Sequence, residues 1–454
     1  MSTPRWTGRV ALAAATLVLA GATAAVGTPA AAATAPPPPQ SDPFYQPPSG
    51  YEATAPGTVL RSRQVEATAF GLLPQKVQSW QVLYRTTDTK GAPQATVTTV
   101  LLPYGAQPSA TRPLVSYQVA EDSAAPQCAI SYQLRRGAGN ENIVAQAEIL
   151  LIDAALQQGW AVTVPDYEGP RSAYVAGRQA GQAVLDGIRA TENFGPAGLN
   201  GVNTKVGAWG YSGGALASGW ASELQASYAP ELNVVGVAEG GLPVDPRSVL
   251  DAANGSFFAG IAMSGIAGLR QAYPELDDFL DTYLTPEGRT AFAKAASQCN
   301  SANAQGFAFT DLFKYFTIKD PLSQPVPKQV LSDVLMGKQT PKAPLFVYHS
   351  VNDELVPIKA NSDTVVPRYC ADGARVTYQR DILSEHVALV ATGAPDALIW
   401  LKDRFADKPV AAGCTTSTVV SSLLSPGALR VLGTVLAKDL LALAGRPVGP
   451  ADMV

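Results

Sequence analysis

An α/β architecture, with a mostly parallel central sheet and helices on both faces, is what this sequence predicts, and two observations predict it. Between Pro113 and Ala238, short apolar runs of strand character alternate with longer segments of helical periodicity, the pattern of strands joined by crossover helices. Within that half, Lys205-Val-Gly-Ala-Trp-Gly-Tyr-Ser-Gly-Gly-Ala-Leu-Ala-Ser218 reads as a buried strand, a tight turn and a close-packed helix. It carries Gly210-Tyr211-Ser212-Gly213-Gly214, the only G-x-S-x-G in the chain. A serine on such a turn sits in strained backbone with its hydroxyl pushed outward. The flanking glycines are required because side chains there would strike the neighbouring strand or helix, and the helix N-terminus offers amide protons to a developing oxyanion.

The elements follow in order. Residues 1–33 read as an export signal: Arg5 and Arg9 precede the apolar run from Val10 to Ala20, and Ala30 to Ala33 suit signal peptidase. Residues 34–60 are a Pro-rich leader and the start of a polar arm, Ser41 to Arg63, expected to lie over the surface. The first part of the core is expected over 61–241. Val77 to Thr86 and Ala95 to Leu102 alternate around Asp88-Thr-Lys-Gly91 as an antiparallel hairpin, and Pro113 to Val119 make the next strand, ending at the polar turn Ala120-Glu121-Asp122-Ser123. Ile143 to Gln158 read as an amphipathic helix stopped at Gly159, Trp160 to Pro165 as a strand, and Gly177 to Glu192 as the helix leading to the serine strand. After the motif, Ala215 to Leu224 form a helix and Asn233 to Ala238 a strand.

From 242 to 335 the signals become helical and loop-like, with exposed-looking apolar pieces such as Phe257 to Met263 and Phe307 to Phe309, so this stretch is expected to be a helical cap inserted between core strands. The core resumes over 336–413, with a strand from Leu345, a last strand at Arg375 to Gln379, and a helix from Pro395 to Phe405. Residues 414–454 read as a tail or flap with one apolar helical segment, Val431 to Ala444.

Histidine narrows the search for partners of Ser212, because the chain has only two, His349 and His386. His349 ends the apolar run Pro344-Leu-Phe-Val-Tyr348 and is assigned a structural role; Asp353 follows four residues later on a loop. His386 lies downstream in Leu383-Ser-Glu-His-Val387. Ser212, Asp353 and His386 therefore occur in the α/β-hydrolase order of nucleophile, acid and base, and they are the candidate triad.

Composition restricts the alternatives. A 46% hydrophobic share with 15% charged residues over 454 positions supports a large core, and a net charge of −4 without a basic stripe speaks against nucleic acid as a partner. Four cysteines, Cys128, Cys299, Cys370 and Cys414, in a chain bound for an oxidising compartment imply two disulfides, with three pairings open. No C-x-x-C occurs and the two histidines are widely separated, so neither a metal nor another cofactor is expected. After the leader, no run is apolar and long enough to span a bilayer.

With these residues in view, the chain resembles the secretory lipase family, of the yeast lipase A type and with actinomycete members, from Asp42-Pro-Phe-Tyr45 to Gly445-Arg-Pro-Val-Gly-Pro450. The likeness is strong at Tyr84-Arg-Thr-Thr87, Glu121-Asp-Ser123, Asp166-Tyr-Glu-Gly169, Ala183-Val-Leu-Asp-Gly-Ile-Arg189, Gly210 to Gly214, Tyr228-Ala-Pro-Glu-Leu-Asn233 and Glu385-His386. The resemblance implies a secreted triacylglycerol lipase, extracellular or in the cell envelope, acting on lipid esters at a lipid–water interface. It also implies Ser212, Asp353 and His386 as triad, Asp122 and the Gly213 amide as oxyanion hole, and disulfides Cys128 to Cys299 and Cys370 to Cys414. The region before Asp353 and the cap sequence depart from the yeast pattern. A carboxylesterase or envelope deacetylase acting on soluble esters is the rival of the same class, and a non-catalytic lipid-binding envelope protein the rival of another.

Overall fold

The computed structural model describes residues 35–139 and 141–450, so the leader expected at 1–33 lies outside the described residues. The fold is built on a ten-stranded sheet. In chain order its strands are β1 (Val59–Gln64), β2 (Gln78–Thr87), β3 (Pro93–Leu102), β4 (Leu114–Gln118), β5 (Ala161–Pro165), β6 (Val206–Tyr211), β7 (Val234–Gly240), β8 (Leu345–Ser350), β9 (Val376–Asp381) and β10 (Cys414–Val419). They lie in the order β1-β2-β3-β5-β4-β6-β7-β8-β9-β10. β1, β2, β3 and β5 pair antiparallel, and every pair from β5 to β10 is parallel.

The central strands read as continuous apolar runs because both of their faces are covered. Along β4 and β8, Leu114, Leu345 and Val347 point into one core, and Val115, Tyr117, Phe346 and Tyr348 into the other. The first core is closed by α2 (Gly177–Glu192), α3 (Gly213–Tyr228) and α10 (Ser362–Ala371), through Val184, Ile188, Leu216, Trp220 and Val365. The second is closed by α1 (Ile149–Leu156), α12 (Ala394–Phe405) and α13 (Ala428–Leu443), through Ile149, Ile152, Leu398, Leu401 and Ala442.

Between β7 and β8 the chain leaves the sheet as helices α4 (Pro246–Ala253), α5 (Ala259–Ala272), α6 (Pro274–Tyr283), α7 (Pro286–Ala295), α8 (Asn300–Gly306) and α9 (Pro325–Val334). Proline opens α4, α6, α7 and α9, where its fixed φ and missing N–H cost nothing. Asp245 and Thr285 cap two of these helices by accepting the amides of Arg247 and Gly288. The insertion has its own apolar cluster, including Met263, Phe279, Phe292, Leu312 and Val330. Of its exposed-looking pieces, Phe257 and Phe309 are exposed, whereas Met263 and Phe307 are buried in that cluster.

Three expectations are corrected. The arm ends in an edge strand, β1, because Val59 to Gln64 pair with β2; its only two apolar residues, Val59 and Leu60, are adjacent, so β1 shows no apolar alternation. Arg375 to Gln379 do not form the last strand: β10 adds to its far side, so residue 414 begins a sheet strand, not a tail. Cys414-Thr-Thr-Ser-Thr-Val419 is mostly exposed, and its β-branched residues favour extended backbone without leaving an apolar signature. Finally, the helix expected over Ile143 to Gln158 is broken at Glu148 into Ile143–Ala147 and α1. The Glu148 side chain is drawn inward, where it accepts from the Tyr117 hydroxyl at 2.7 Å and the Ala120 amide at 2.9 Å.

Candidate active site

β6 ends in the turn its sequence demands. Ser212 adopts φ 53°, ψ −120° immediately before α3, a left-handed conformation that costs a non-glycine residue on the order of 1–3 kcal/mol. It is tied down by its N–H donating to Gly240 O at 2.9 Å. A methyl group on Gly210 would stand 2.3 Å from Gly214 O, and one on Gly214 would stand 1.9 Å from Gln118 O, so both positions require glycine. Tyr211 between them is buried, and its hydroxyl donates to His386 O at 2.6 Å.

The acid and base arrive on loops after later strands. Beyond β8, Asp353 Oδ1 accepts the amides of Leu355 at 3.0 Å and Val356 at 2.6 Å, which leaves Oδ2 facing His386 Nδ1 at 2.7 Å. Beyond β9, His386 is the first residue of α11 (His386–Thr392), with Glu385 as its N-cap. The His386 amide donates to Glu354 Oε2 at 3.0 Å, and its Nε2 lies 2.8 Å from Ser212 Oγ. The three sequence-predicted residues therefore form one unbroken hydrogen-bonded chain. His349 lies outside that chain and braces the acid loop: fully buried, it places Nδ1 2.6 Å from Ser362 Oγ and Nε2 2.9 Å from Val356 O, with Asp353 Oδ2 at 3.3 Å.

The electrostatics suit a base. Burial opposes ionisation of Asp353, but the charge of His386 and hydrogen bonds from both histidines outweigh it and hold the carboxyl well below the usual range. Burial likewise disfavours the His386 imidazolium, yet the charge and hydrogen bond of Asp353, with Glu354 and Asp122 beyond, raise its pKa above the usual histidine value. A neutral imidazole oriented this way can take a proton from Ser212, and the resulting cation is stabilised by Asp353.

On the other side of Ser212, the loop after β4 carries Asp122 at φ 49°, against the first residue of α3: a methyl group on Gly213 would stand 1.8 Å from Asp122 Oδ1. Burial pushes the Asp122 carboxyl up to about 6, against the pull of His386 and of the Tyr174 hydroxyl beside it. Glu148, which the sequence reading passed over, anchors the start of this loop through the Ala120 amide. Nothing in the sequence singles it out from Asp153, the other acid of the same helical stretch. The disulfides join Cys128 to Cys299 and Cys370 to Cys414. The first ties the segment after Asp122 to the insertion, and the second ties α10 to β10. Among the described residues no cluster of His, Cys, Asp or Glu is arranged to hold a metal ion, and no helix is long and apolar enough to cross a membrane.

Next to these groups lies a pocket, partly open to solvent, whose lining carries no charged residue. Its wall includes neighbours of each part of the site. Leu216 donates its amide to Ser212 O, Leu355 to Asp353 Oδ1, and Tyr174 adjoins Asp122. Ile266, Phe279 and Val330 line it from the insertion.

A nucleophile turn after a central parallel strand, with acid and base presented from loops of strands further along the sheet, makes this an α/β hydrolase. The X-ray structure of Candida antarctica lipase A in its closed state superposes with a TM-score of 0.83 at 33% identity, covering 92% of this chain and 99% of that one. The chain belongs to the secretory lipase family, whose sequence model matches residues 134–413. Among its relatives are Lipase A of Arthroderma benhamiae, 44% identical over 90% of this chain and 88% of that protein, and a Mycobacterium tuberculosis protein named "Probable inactive lipase MT1628", 42% identical over 81% of this chain and 83% of that protein.

Proposed function

We propose that the protein is a secreted serine ester hydrolase of the triacylglycerol lipase type, with Ser212 as nucleophile, His386 as base and Asp353 as the acid that orients it. The observation that carries this reading is the continuous chain from Asp353 through His386 to Ser212 Oγ beside a pocket with no charged residue in its lining. Ser212 attacks the ester carbonyl as His386 takes its proton. The same imidazolium then protonates the leaving alcohol, and water activated by His386 cleaves the acyl-enzyme. The tetrahedral oxyanion is held by the Gly213 amide at the start of α3 and by Asp122. For its side chain to donate, Asp122 must be protonated. Its burial favours that, and in the base-competent state His386 is neutral, so the cationic pull that lowers the Asp122 pKa is absent.

Residues 242–335 serve as a cap in this reading, because they supply most of the pocket lining, with Tyr174, Val175, Leu216 and Leu355 closing it from the core. That cavity takes the acyl chain: its walls match hydrocarbon, whereas a peptide main chain would leave polar groups unpaired there. A panel of esters from acetyl to palmitoyl, with emulsified triolein, tests the assignment. Catalytic efficiency rising with acyl length, and hydrolysis of triolein, are expected. A maximum at acetyl with no action on the emulsion would instead favour the carboxylesterase or envelope-deacetylase reading.

A further inference from the structure

The insertion touches the oxyanion loop and the segment after it at Ser297 to Asn300. Cys299, bonded to Cys128, is the N-cap of α8, and Gln127 Nε2 donates to Ser297 O at 2.8 Å just before it. Asn300, the next residue, is buried and makes two contacts with the loop. Its main-chain N–H donates to Ser123 Oγ at 2.9 Å, and that hydroxyl donates to Glu121 O at 2.8 Å. Its side-chain Nδ2 donates to Asp122 Oδ2 at 3.4 Å. The other carboxyl oxygen, Oδ1, is buried without a hydrogen-bond partner among the described residues and lies against Gly213. The two oxygens of Asp122 are therefore inequivalent: Oδ2 meets the Asn300 amide nitrogen, which only donates, Oδ1 packs against Gly213 beside the nucleophile, and the Tyr174 hydroxyl adjoins the same carboxyl.

We propose that Asn300 is a positioning residue for Asp122. By donating to Oδ2 it makes that oxygen the acceptor and leaves Oδ1, over Gly213, to carry the proton that hydrogen-bonds the oxyanion. The inference rests on the side-chain role of Asp122 proposed above. No bond at Asp122 forms or breaks; its O–H donates a hydrogen bond throughout the acyl transfer. A consequence is that the oxyanion geometry is set by the insertion as well as by the core, and that the disulfide Cys128–Cys299 holds the two together.

The pH dependence gives this a signature. Asp122 faces His386 and Tyr174, and also the carboxyls of Glu121, Glu148 and Glu168 and the phenol of Tyr167. A donor on Oδ2 favours the carboxylate, so its removal raises the pKa of Asp122 and moves the alkaline fall in activity to higher pH. Asn300→Leu and Asn300→Asp in the full-length secreted protein, assayed for kcat and KM across pH on p-nitrophenyl butyrate, test it. Asn300→Leu should lower kcat about tenfold, the worth of one directed hydrogen bond, with KM little changed and the alkaline limb displaced upward. Asn300→Asp, nearly isosteric, should displace the limb in the same direction by placing a second carboxyl beside Asp122, and it carries the test if the leucine variant fails to fold. A limb that stays in place with kcat unchanged overturns the role of Asn300. A wild-type enzyme without any alkaline limb overturns the side-chain role of Asp122 itself, and the present inference with it, before any variant is compared.

Discussion

At the scale of single residues, Asp122 is the position where chemistry and backbone make opposing demands. Its φ of 49° is one that Asn and Asp tolerate and that other side chains adopt at a cost of about 1 kcal/mol or more. Asp122→Asn keeps both the conformation and a donor, so kcat should fall only modestly; Asp122→Ala should lose on the order of 10² in kcat, as removal of an oxyanion donor does. Equal kcat in the two variants would assign the oxyanion to backbone amides alone. The wild-type profile should be a bell: activity rises as His386 loses its proton and falls as Asp122 loses its own, whereas Asp122→Asn should rise to a plateau. Ser212, Asp353 and His386 were legible in the sequence because their chemistry needs particular residue types in a fixed order and only two histidines compete. Glu148 and Asn300 were not, because each acts through a contact with a residue far away in the chain, and nothing local in either segment marks it.

At the scale of elements, what escaped the sequence lies at the edges of the sheet. β1 and β10 carry few apolar residues, so the continuous apolar runs that revealed β4 to β8 are missing, and only pairing identifies them. The disulfide Cys370–Cys414 gains meaning from that pairing, since it fastens the edge strand β10 to α10. In the chain-entropy model, loops of 44 and 171 residues contribute about 4 and about 5 kcal/mol as upper estimates. Reduction should therefore lower the Tm, and it should lower kcat as well because Asn300 directly follows Cys299. A drop in Tm with unchanged kcat below it would separate the disulfides from the site.

α13 carries a second prediction. Its Asp439, buried against α1, accepts from Gln157 at 2.8 Å, and burial pushes the carboxyl up to about 7. In the unfolded chain the same group ionises near 3.9. Between those values the folded state holds more protons, so this group's contribution to stability falls as pH rises through that window and is constant above it. Asp439→Asn should thus gain stability relative to wild type from pH 4 to pH 8, by on the order of 1–4 kcal/mol. Thermal melts showing a pH-independent difference would refute it.

At the scale of the whole molecule, the core carries Ser212, Asp353 and His386, and the insertion supplies most of the lining of the pocket next to them. The α/β class was readable because the central strands are buried on both faces and the crossover helices are long. The turn to helical signals after β7 was readable, and the structure leaves the sheet there, while the internal packing of those helices around Phe292 and Leu312 was not, since helical periodicity identifies a buried face without naming what covers it. Family membership alone leaves catalysis to be measured, because one relative at 42% identity is named inactive. The most direct test of the central claim is reaction of the purified secreted protein with a fluorophosphonate, read by intact mass and peptide mapping. The account predicts one adduct per chain, on Ser212, absent from Ser212→Ala, which should also lack ester hydrolysis beyond the residual 10³–10⁴ over water left by oxyanion hole and binding. Stoichiometric protein that takes up no label at Ser212, or ester hydrolysis undiminished in Ser212→Ala, would contradict it.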